Sequence, residues 1–315
     1  MDFKNIEVFE DRVVIKEAKN FELPHVFDCG QCFRWDRQPN GSYIGVAFNR
    51  VIEVEKSGED VILHNCSEKD FYDIWIEYFD LNRNYNDIKV ELSKDELLGK
   101  SVDFGYGIRI LKQDPFEITL SFIISANNRI PMIKRVIKNI SMKWGKPMEY
   151  KGQVYYSFPK IEVLKEVSQE DLEACGVGFR GKYIKDTVDK IYQCNKYIEE
   201  NAHAVQEEKE IIKYDLKSIK ASSDDECHCR LQDFSGIGPK VADCIMLFSM
   251  QKYSAFPVDV WVKRAMQHFY LAPDVSLKKI RDFGRNKFGE LSGFAQQYLF
   301  YYARENNINV ESETK

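Results

Sequence analysis

Residues 234–244 read FSGIGPKVADC, a glycine hairpin that runs straight into a helix. Gly236 and Gly238 have no Cβ, so both can take a positive φ and let another backbone come close. Pro239 suits the first helical position, where its missing N–H leaves no hydrogen bond unmade. Val241, Cys244, Ile245 and Phe248 then follow the i, i+3, i+4, i+7 rule of an amphipathic helix. Upstream, Ser223-Asp224-Asp225-Glu226 has the form of a capping box and opens a first helix. The spacing predicts a helix-hairpin-helix over 224–250. Its glycine backbone and the N-terminus of its second helix form a receptor for a phosphate.

Lys240 sits in the first turn of that second helix. Two readings stand: one more phosphate contact, or a nucleophile held beside DNA. A free lysine has a pKa of ~10.4, so roughly one in 2,500 is the neutral amine at pH 7. A nucleophilic role therefore requires a lowered pKa, which a helix N-terminus and burial both promote. Asp259 follows Phe256-Pro257-Val258 and precedes a helical run, so it caps that helix. A carboxylate fixed by backbone N–H groups stays ionised. It could stabilise positive charge developing on a sugar ring, worth about 4 kcal/mol at ~4 Å and an effective dielectric of ~20.

The chain has 315 residues, 44% hydrophobic, with a mean hydropathy of −0.44 and a net charge of −5. That length supports two or three domains. No apolar run reaches the ~18 residues a membrane span needs. The charged start, MDFKNIEVFEDRV, lacks an apolar signal core, and eight cysteines are read as reduced thiols. An intracellular protein, cytoplasmic or nucleoid-associated, is the expectation. The acidic balance excludes a nonspecific DNA coat. However, Arg129, Lys134, Arg135, Lys138, Lys143, Lys146 and Lys151 face only Glu149 across 127–151. A second basic patch surrounds Arg180, Lys182 and Lys185, while acids concentrate in 67–79 and 205–226. Such lobed charge allows one cationic face on an acidic protein. Cys29-x-x-Cys32 would need a second ligand pair for zinc, and Cys227 and Cys229 stand too close together to supply it. No four-cysteine cluster follows the hairpin, so no iron–sulfur centre is expected.

Residues 1–100 read mostly as short strands at 12–16, 31–37, 42–48, 51–55 and 61–64, with Pro39-Asn40-Gly41 as a hairpin turn. A helix is expected at 69–79. Helical signals dominate from about residue 101, at 128–140, 182–201, 260–269 and 293–304, with a short helix opening at Gln169 and ending at Gly176. Within the last of these, Gln296 and Phe300 share a face as a possible pocket wall. The fold class is α+β: an N-terminal twisted antiparallel β-sheet domain over 1–105, then an all-α, two-lobed helical region over 106–315.

Together these residues resemble the helix-hairpin-helix DNA glycosylases, specifically the eukaryotic-type 8-oxoguanine DNA glycosylase/AP lyases. The strongest segment is LQDFSGIGPKVADCIMLFSMQKYSAFPVDVWV, 231–262. Supporting segments are CGQCFRW (29–35), FIISANNRI (122–130), GVGFRGKY (176–183) and GFAQQYLF (293–300). The resemblance implies that Lys240 is the Schiff-base nucleophile and Asp259 the essential carboxylate. It implies that Gly30 offers its carbonyl to the lesion, Gln296 bonds the Watson–Crick edge, and Cys244 and Phe300 sandwich the purine, with Phe248 alongside. Asn127 would fill the gap left by the flipped nucleotide and Phe179 would wedge the opposite strand. Met132, Arg180, Gly236, Gly238 and Trp261 complete the expected DNA contacts. No cofactor is implied for the chemistry, the resemblance allows a monovalent cation in the hairpin's carbonyl ring, and a monomer acting on damaged double-stranded DNA is expected. Three residues depart from the family pattern: Met132 and Trp261 replace an arginine and a histidine, and Phe179 replaces a tyrosine. Methionine cannot hydrogen-bond a cytosine opposite the lesion, so a relaxed opposite-base preference is expected. The alternatives are an oxidised-pyrimidine glycosylase without an iron–sulfur cluster and a non-catalytic DNA-binding module.

Overall fold

A computed structural model describes residues 1–201, 210–271 and 275–308; the acidic run at 205–226 lies partly outside them. Six strands, β1 (Asn5–Val8), β2 (Arg12–Lys16), β3 (Trp35–Arg37), β4 (Tyr43–Ala47), β5 (Arg50–Ser57) and β6 (Asp60–His64), form one sheet. Their spatial order is β1-β2-β6-β5-β4-β3. The pairings β1–β2, β2–β6, β5–β6 and β3–β4 are antiparallel, with Val13 opposite Leu63 and Val54 opposite Leu63 from the other side. Val13, Ile15, Val54, Val61 and Leu63 are completely buried, the inward set that period-2 alternation selects.

Nine longer helices carry the site and its supports. They are α1 (Glu96–Phe104), α2 (Pro115–Ser125), α3 (Ile130–Trp144), α4 (Gly181–Glu200), α5 (Asp224–Leu231), α6 (Pro239–Ser249), α7 (Val260–Phe269), α8 (Leu277–Phe288) and α9 (Ser292–Glu305). The chain divides into two compact units. The first comprises Met1–Gly45, Ile52–Lys112 and Gln251–Lys315, and the second Val46–Val51 and Gln113–Met250.

In the first unit, Trp35 stacks on Phe27 with centroids 4.2 Å apart, and α9 packs along α1 and α7. Arg109 is 1% exposed, yet its guanidinium is fully engaged. It donates to the carbonyls of Phe79 (2.9 Å) and Asp80 (2.7 Å) and pairs with Asp2 (3.1 Å). A buried charge is tolerable only when paired and hydrogen-bonded in this way. In the second unit, α2 is buried nearly all round and packs against α6, with Phe122 stacked on Phe248 at 5.7 Å.

Several elements differ from the sequence reading. The expected strand at 31–37 is only Trp35–Arg37; ahead of it, Gln31 is buried with its side-chain amide donating to the Val26 and Arg109 carbonyls. The 69–79 helix starts at Glu68 and contains a wide π-type turn at Phe71–Trp75. Helix α3 starts at Ile130, after the positive-φ Asn127, and not at 128. The Gln169 helix is one regular turn, and a wide turn over Glu173–Val177 leads into Gly176 at φ 94°. Ser292 lies inside α9, not before it, and its hydroxyl donates to the Gly289 carbonyl. Elements not read in the sequence include strand β1, the helix Tyr85–Leu92, helices α1, α2 and α8, and a second, two-stranded sheet of β7 (Pro147–Tyr150) and β8 (Gln153–Tyr156).

Candidate active site

The hairpin forms as its residues dictate. Ser223 caps α5, its hydroxyl accepting from the Glu226 N–H, and Pro239 occupies the first turn of α6. The two glycines differ, however. Gly236 takes φ 82°, and a Cβ there would meet the Tyr183 ring at 2.7 Å. Gly238 is extended, at φ −95° and ψ 179°, with nothing within 4 Å of a would-be Cβ. Gly236 is thus required by conformation and by packing. Gly238 instead keeps its side of the hairpin open; of the two glycines that could take a positive φ, only Gly236 does.

Supports for the hairpin come from residues that periodicity does not single out. Asp186 of α4 accepts hydrogen bonds from Ser235 and pairs with Lys190 at 2.8 Å. Burial pushes its carboxyl up, but the Lys190 and Ser235 bonds outweigh burial and hold it below the usual range. His228 of α5 bridges to α6: Nε2 lies 3.2 Å from the Pro239 carbonyl, and Nδ1 lies 3.0 Å from Gln232 Nε2. The Asp243 carboxylate lies 3.7 Å from the same Nε2. Lys240 follows Pro239 and is half-buried. No carboxylate among the described residues pairs with its ammonium, unlike Lys185 and Lys190. Cys244, one turn further along the same helix face, and Phe248 are both 4% exposed.

The Asn127 segment lies in the same unit. Asn127 is exposed and adopts φ 51°, and Met132 and Phe179 are 44% and 57% exposed. Arg180 points inward, 8% exposed, and donates to the carbonyls of Ala126, Asn127 and Val177.

In the first unit the CGQC segment is a pinned turn. Gly30 takes φ 79°, and a Cβ there would lie 3.1 Å from Phe300 Cε1, so the carbonyl-bearing backbone sits directly against that ring. On one side, the Gln297 amide donates to the Cys29 carbonyl at 2.6 Å. On the other, the Gln31 amide donates to Val26 (2.8 Å) and Arg109 (2.7 Å) and accepts from the Leu111 N–H (2.9 Å). Both cysteines are free thiols turned onto backbone carbonyls, and burial pushes Cys29 up to about 11. A buried thiol held protonated in this way is a poor nucleophile, which speaks against a reactive role for Cys29.

Gln296, adjacent to Gln297 in α9, is 4% exposed and its Oε1 is buried without a partner. A buried orphan acceptor is costly in a folded protein and calls for an explanation. Two adjacent glutamines in an otherwise apolar helix were the available signal for both roles, and only Gln296 was singled out. Asp259 caps α7 as expected, Oδ1 accepting from the N–H groups of Trp261 (2.9 Å) and Val262 (2.8 Å). Trp261 is half-buried, with the Arg264 guanidinium 5.0 Å from its ring centroid. The structure therefore joins Gly30 to Phe300 in one unit and Asn127 to Arg180 in the other. A separate cavity of about 490 Å³, lined by Phe48, Phe116, Phe158, Lys160, Asn195 and Lys217 among others, contains none of the expected site residues.

Comparison with known proteins identifies the family. Residues 13–119 match the 8-oxoguanine DNA glycosylase N-terminal domain, and residues 120–297 match the HhH-GPD superfamily of base excision DNA repair proteins. The N-glycosylase/DNA lyase OGG1 of Arabidopsis thaliana is 30% identical over 298 residues, 88% of this chain and 76% of its own. The N-glycosylase/DNA lyase of Saccharomyces cerevisiae is 29% identical over 318 residues, 88% of this chain and 82% of its own. The crystal structure of Clostridium acetobutylicum 8-oxoguanine glycosylase/lyase, in complex with double-stranded DNA containing cytosine opposite 8-oxoG, is 62% identical. It superposes with a TM-score of 0.90, covering 98% of this chain and 100% of that one.

Proposed function

The chain belongs to the HhH-GPD superfamily of base excision DNA repair proteins and carries the N-terminal domain of the 8-oxoguanine DNA glycosylases, and from that membership we propose that it excises 8-oxoguanine from duplex DNA and cleaves the strand. The carrying observation is Lys240: a half-buried lysine in the first turn of α6, at a helix N-terminus, with no carboxylate partner among the described residues.

In this reading the target nucleotide is extruded, at a cost of a few kcal/mol. Guanine N7 is an acceptor, whereas N7 of 8-oxoguanine carries a hydrogen. The Gly30 carbonyl attracts that hydrogen and repels the lone pair of normal guanine. Gln296 Oε1, unpartnered in the free protein, accepts from the Watson–Crick edge. Lys240 as the neutral amine attacks C1′, and the bond from C1′ to the base breaks, the base leaving with the bonding pair. Asp259 stabilises the positive charge on the sugar as that bond lengthens. The amine nitrogen then loses a proton and the C1′–O4′ bond opens, O4′ leaving with the bonding pair and taking up a proton, which gives the C1′–lysine Schiff base; loss of a C2′ proton then drives β-elimination, and the 3′ phosphate leaves with the C3′–O bonding pair.

The test is borohydride reduction during incubation with a duplex containing 8-oxoguanine. A covalent protein–DNA adduct is expected from the wild type. None is expected from Lys240→Arg, which keeps the charge. An adduct from Lys240→Arg excludes Lys240 as the nucleophile. Release of thymine glycol in place of 8-oxoguanine, read by mass, would favour the oxidised-pyrimidine reading.

A further inference from the structure

We infer that Arg304 is a positioning residue for lesion discrimination: it clamps the start of the Asp28–Gly30 turn, so that the Gly30 carbonyl alone stays free and keeps one direction. This rests on the proposed excision of 8-oxoguanine, and it adds to the turn a residue outside the expected site.

Gln297, Phe300 and Arg304 stand at i, i+3 and i+7 of α9, one face of that helix. The face meets three successive residues of the turn. Arg304 Nη2 donates to the Asp28 carbonyl at 2.5 Å, and Gln297 donates to the Cys29 carbonyl at 2.6 Å. The Phe300 ring lies against Gly30, where a Cβ would come 3.1 Å from Cε1 and 3.7 Å from Arg304 Nη1. Among the described residues no donor reaches the Gly30 carbonyl. Two carbonyls of the turn are thus occupied by α9, and the third is left for a ligand.

The planar fork explains the choice of arginine. The guanidinium carbon lies 5.2 Å from the Phe300 ring centroid and 5.6 Å from that of Tyr301, within cation–π range. One edge pairs with Glu305, Nε at 2.9 Å and Nη2 at 2.8 Å. The side chain is 19% exposed, so these contacts are made largely out of water. Asp28 is held by its side chain as well, because the hydroxyl of buried Tyr43 in β4 donates to its carboxylate. Gly30, at φ 79°, has no Cβ to restrict it, so the direction of its carbonyl depends on outside anchors. The Asp28 carbonyl is two peptide units before it, and releasing that carbonyl lets the turn rotate. A carbonyl attracts the N7 hydrogen of 8-oxoguanine and repels N7 of guanine only while its direction is fixed.

Two measurements test this in the full-length protein. The first is hydrogen exchange in the absence of DNA. Arg304→Lys keeps the charge and removes the fork, so amides at 28–32 should exchange about tenfold faster, while β5 and β6 stay unchanged. Unaltered exchange at 28–32 overturns the clamp. If Arg304→Lys does not fold, Arg304→Gln serves, with the same expected direction. The second compares single-turnover release of 8-oxoguanine and of guanine with cleavage at an abasic site, which presents no base to Gly30. Arg304→Lys should lower 8-oxoguanine release about tenfold relative to both of the others. An equal fall in all three marks general damage to the fold and overturns the positioning role. Weaker binding of undamaged duplex with those ratios unaltered would make Arg304 a phosphate contact, and overturns it too. Should the wild type release no 8-oxoguanine, the functional reading fails while the exchange measurement still decides the clamp.

Discussion

Gln297 of α9 donates its side-chain amide to the carbonyl of Cys29, 2.6 Å away, and so holds the residue before Gly30 in place. The bond links residues at opposite ends of the chain. Gln297→Ala leaves a buried carbonyl unsatisfied and should destabilise the protein by ~1–3 kcal/mol. It should also narrow the ratio of 8-oxoguanine to guanine excision, because the Gly30 carbonyl is no longer fixed. Thermal unfolding and base release measured on one preparation check both effects.

Gln296 behaves oppositely. Its Oε1 is buried and unpartnered, so Gln296→Met removes a desolvation penalty and should raise stability by ~1 kcal/mol. The same change should reduce kcat/KM for 8-oxoguanine at least tenfold, through loss of an acceptor for the Watson–Crick edge. A variant that is destabilised and fully active would contradict the assignment.

Gly236→Ala puts a Cβ 2.7 Å from the Tyr183 ring at a residue with φ 82°. It should cost ~1–3 kcal/mol and weaken DNA binding. Gly238→Ala meets no protein atom within 4 Å and has extended backbone, so its stability should match the wild type. Any loss of DNA affinity from Gly238→Ala then reports contact at the open hairpin face. Chemical denaturation and a fluorescence-anisotropy titration separate the two.

Met132 is 44% exposed near the start of α3. Its thioether cannot donate a hydrogen bond, so excision opposite the four bases should vary little. Met132→Arg should raise the preference for cytosine by about tenfold, the discrimination one good polar pair supplies. A strong cytosine preference in the wild type would refute the reading.

Asp95 caps α1 and also accepts from Tyr270 and pairs with Lys287, each at 2.8 Å. Burial raises its pKa, but the Lys287, Leu98 and Tyr270 bonds together hold the carboxyl below its usual value. A depressed folded pKa favours the folded state above the ordinary carboxylate range, and that stabilisation fades as pH falls through the folded value. Asp95→Ala should therefore cost ~2 kcal/mol at neutral pH and progressively less in acid. Denaturant midpoints between neutral pH and pH ~3 check the convergence.

Much of this was legible in the chain. Caps with strong local signals, Ser223 and Asp259, stand where their side chains require. The core strands β2, β5 and β6 follow their alternation. Strand β1 escaped notice because it is an edge strand with mostly exposed residues, NIEV, and little alternation to read. The β7–β8 hairpin turns at Lys151-Gly152 between half-exposed strands, so it too lacks an apolar stripe. Charge counting placed Arg180 on a surface. Composition cannot tell which way a guanidinium points when unsatisfied backbone carbonyls compete with solvent for it. Gln297 and Gln31 were invisible for a related reason: their partners are main-chain atoms distant in sequence.

The discontinuity of the first unit has a consequence for biosynthesis. Its sheet is translated before Gln113–Met250, yet α9, which supplies the donor for Cys29 and the ring against Gly30, leaves the ribosome only after that whole stretch. The stretch Gln113–Met250 can condense around α2 and α6 in the meantime, whereas the early strands must wait with part of their apolar surface uncovered. A nascent chain stalled before α9 would expose that surface to chaperones. Premature termination there should consequently yield insoluble product, not a weakened enzyme.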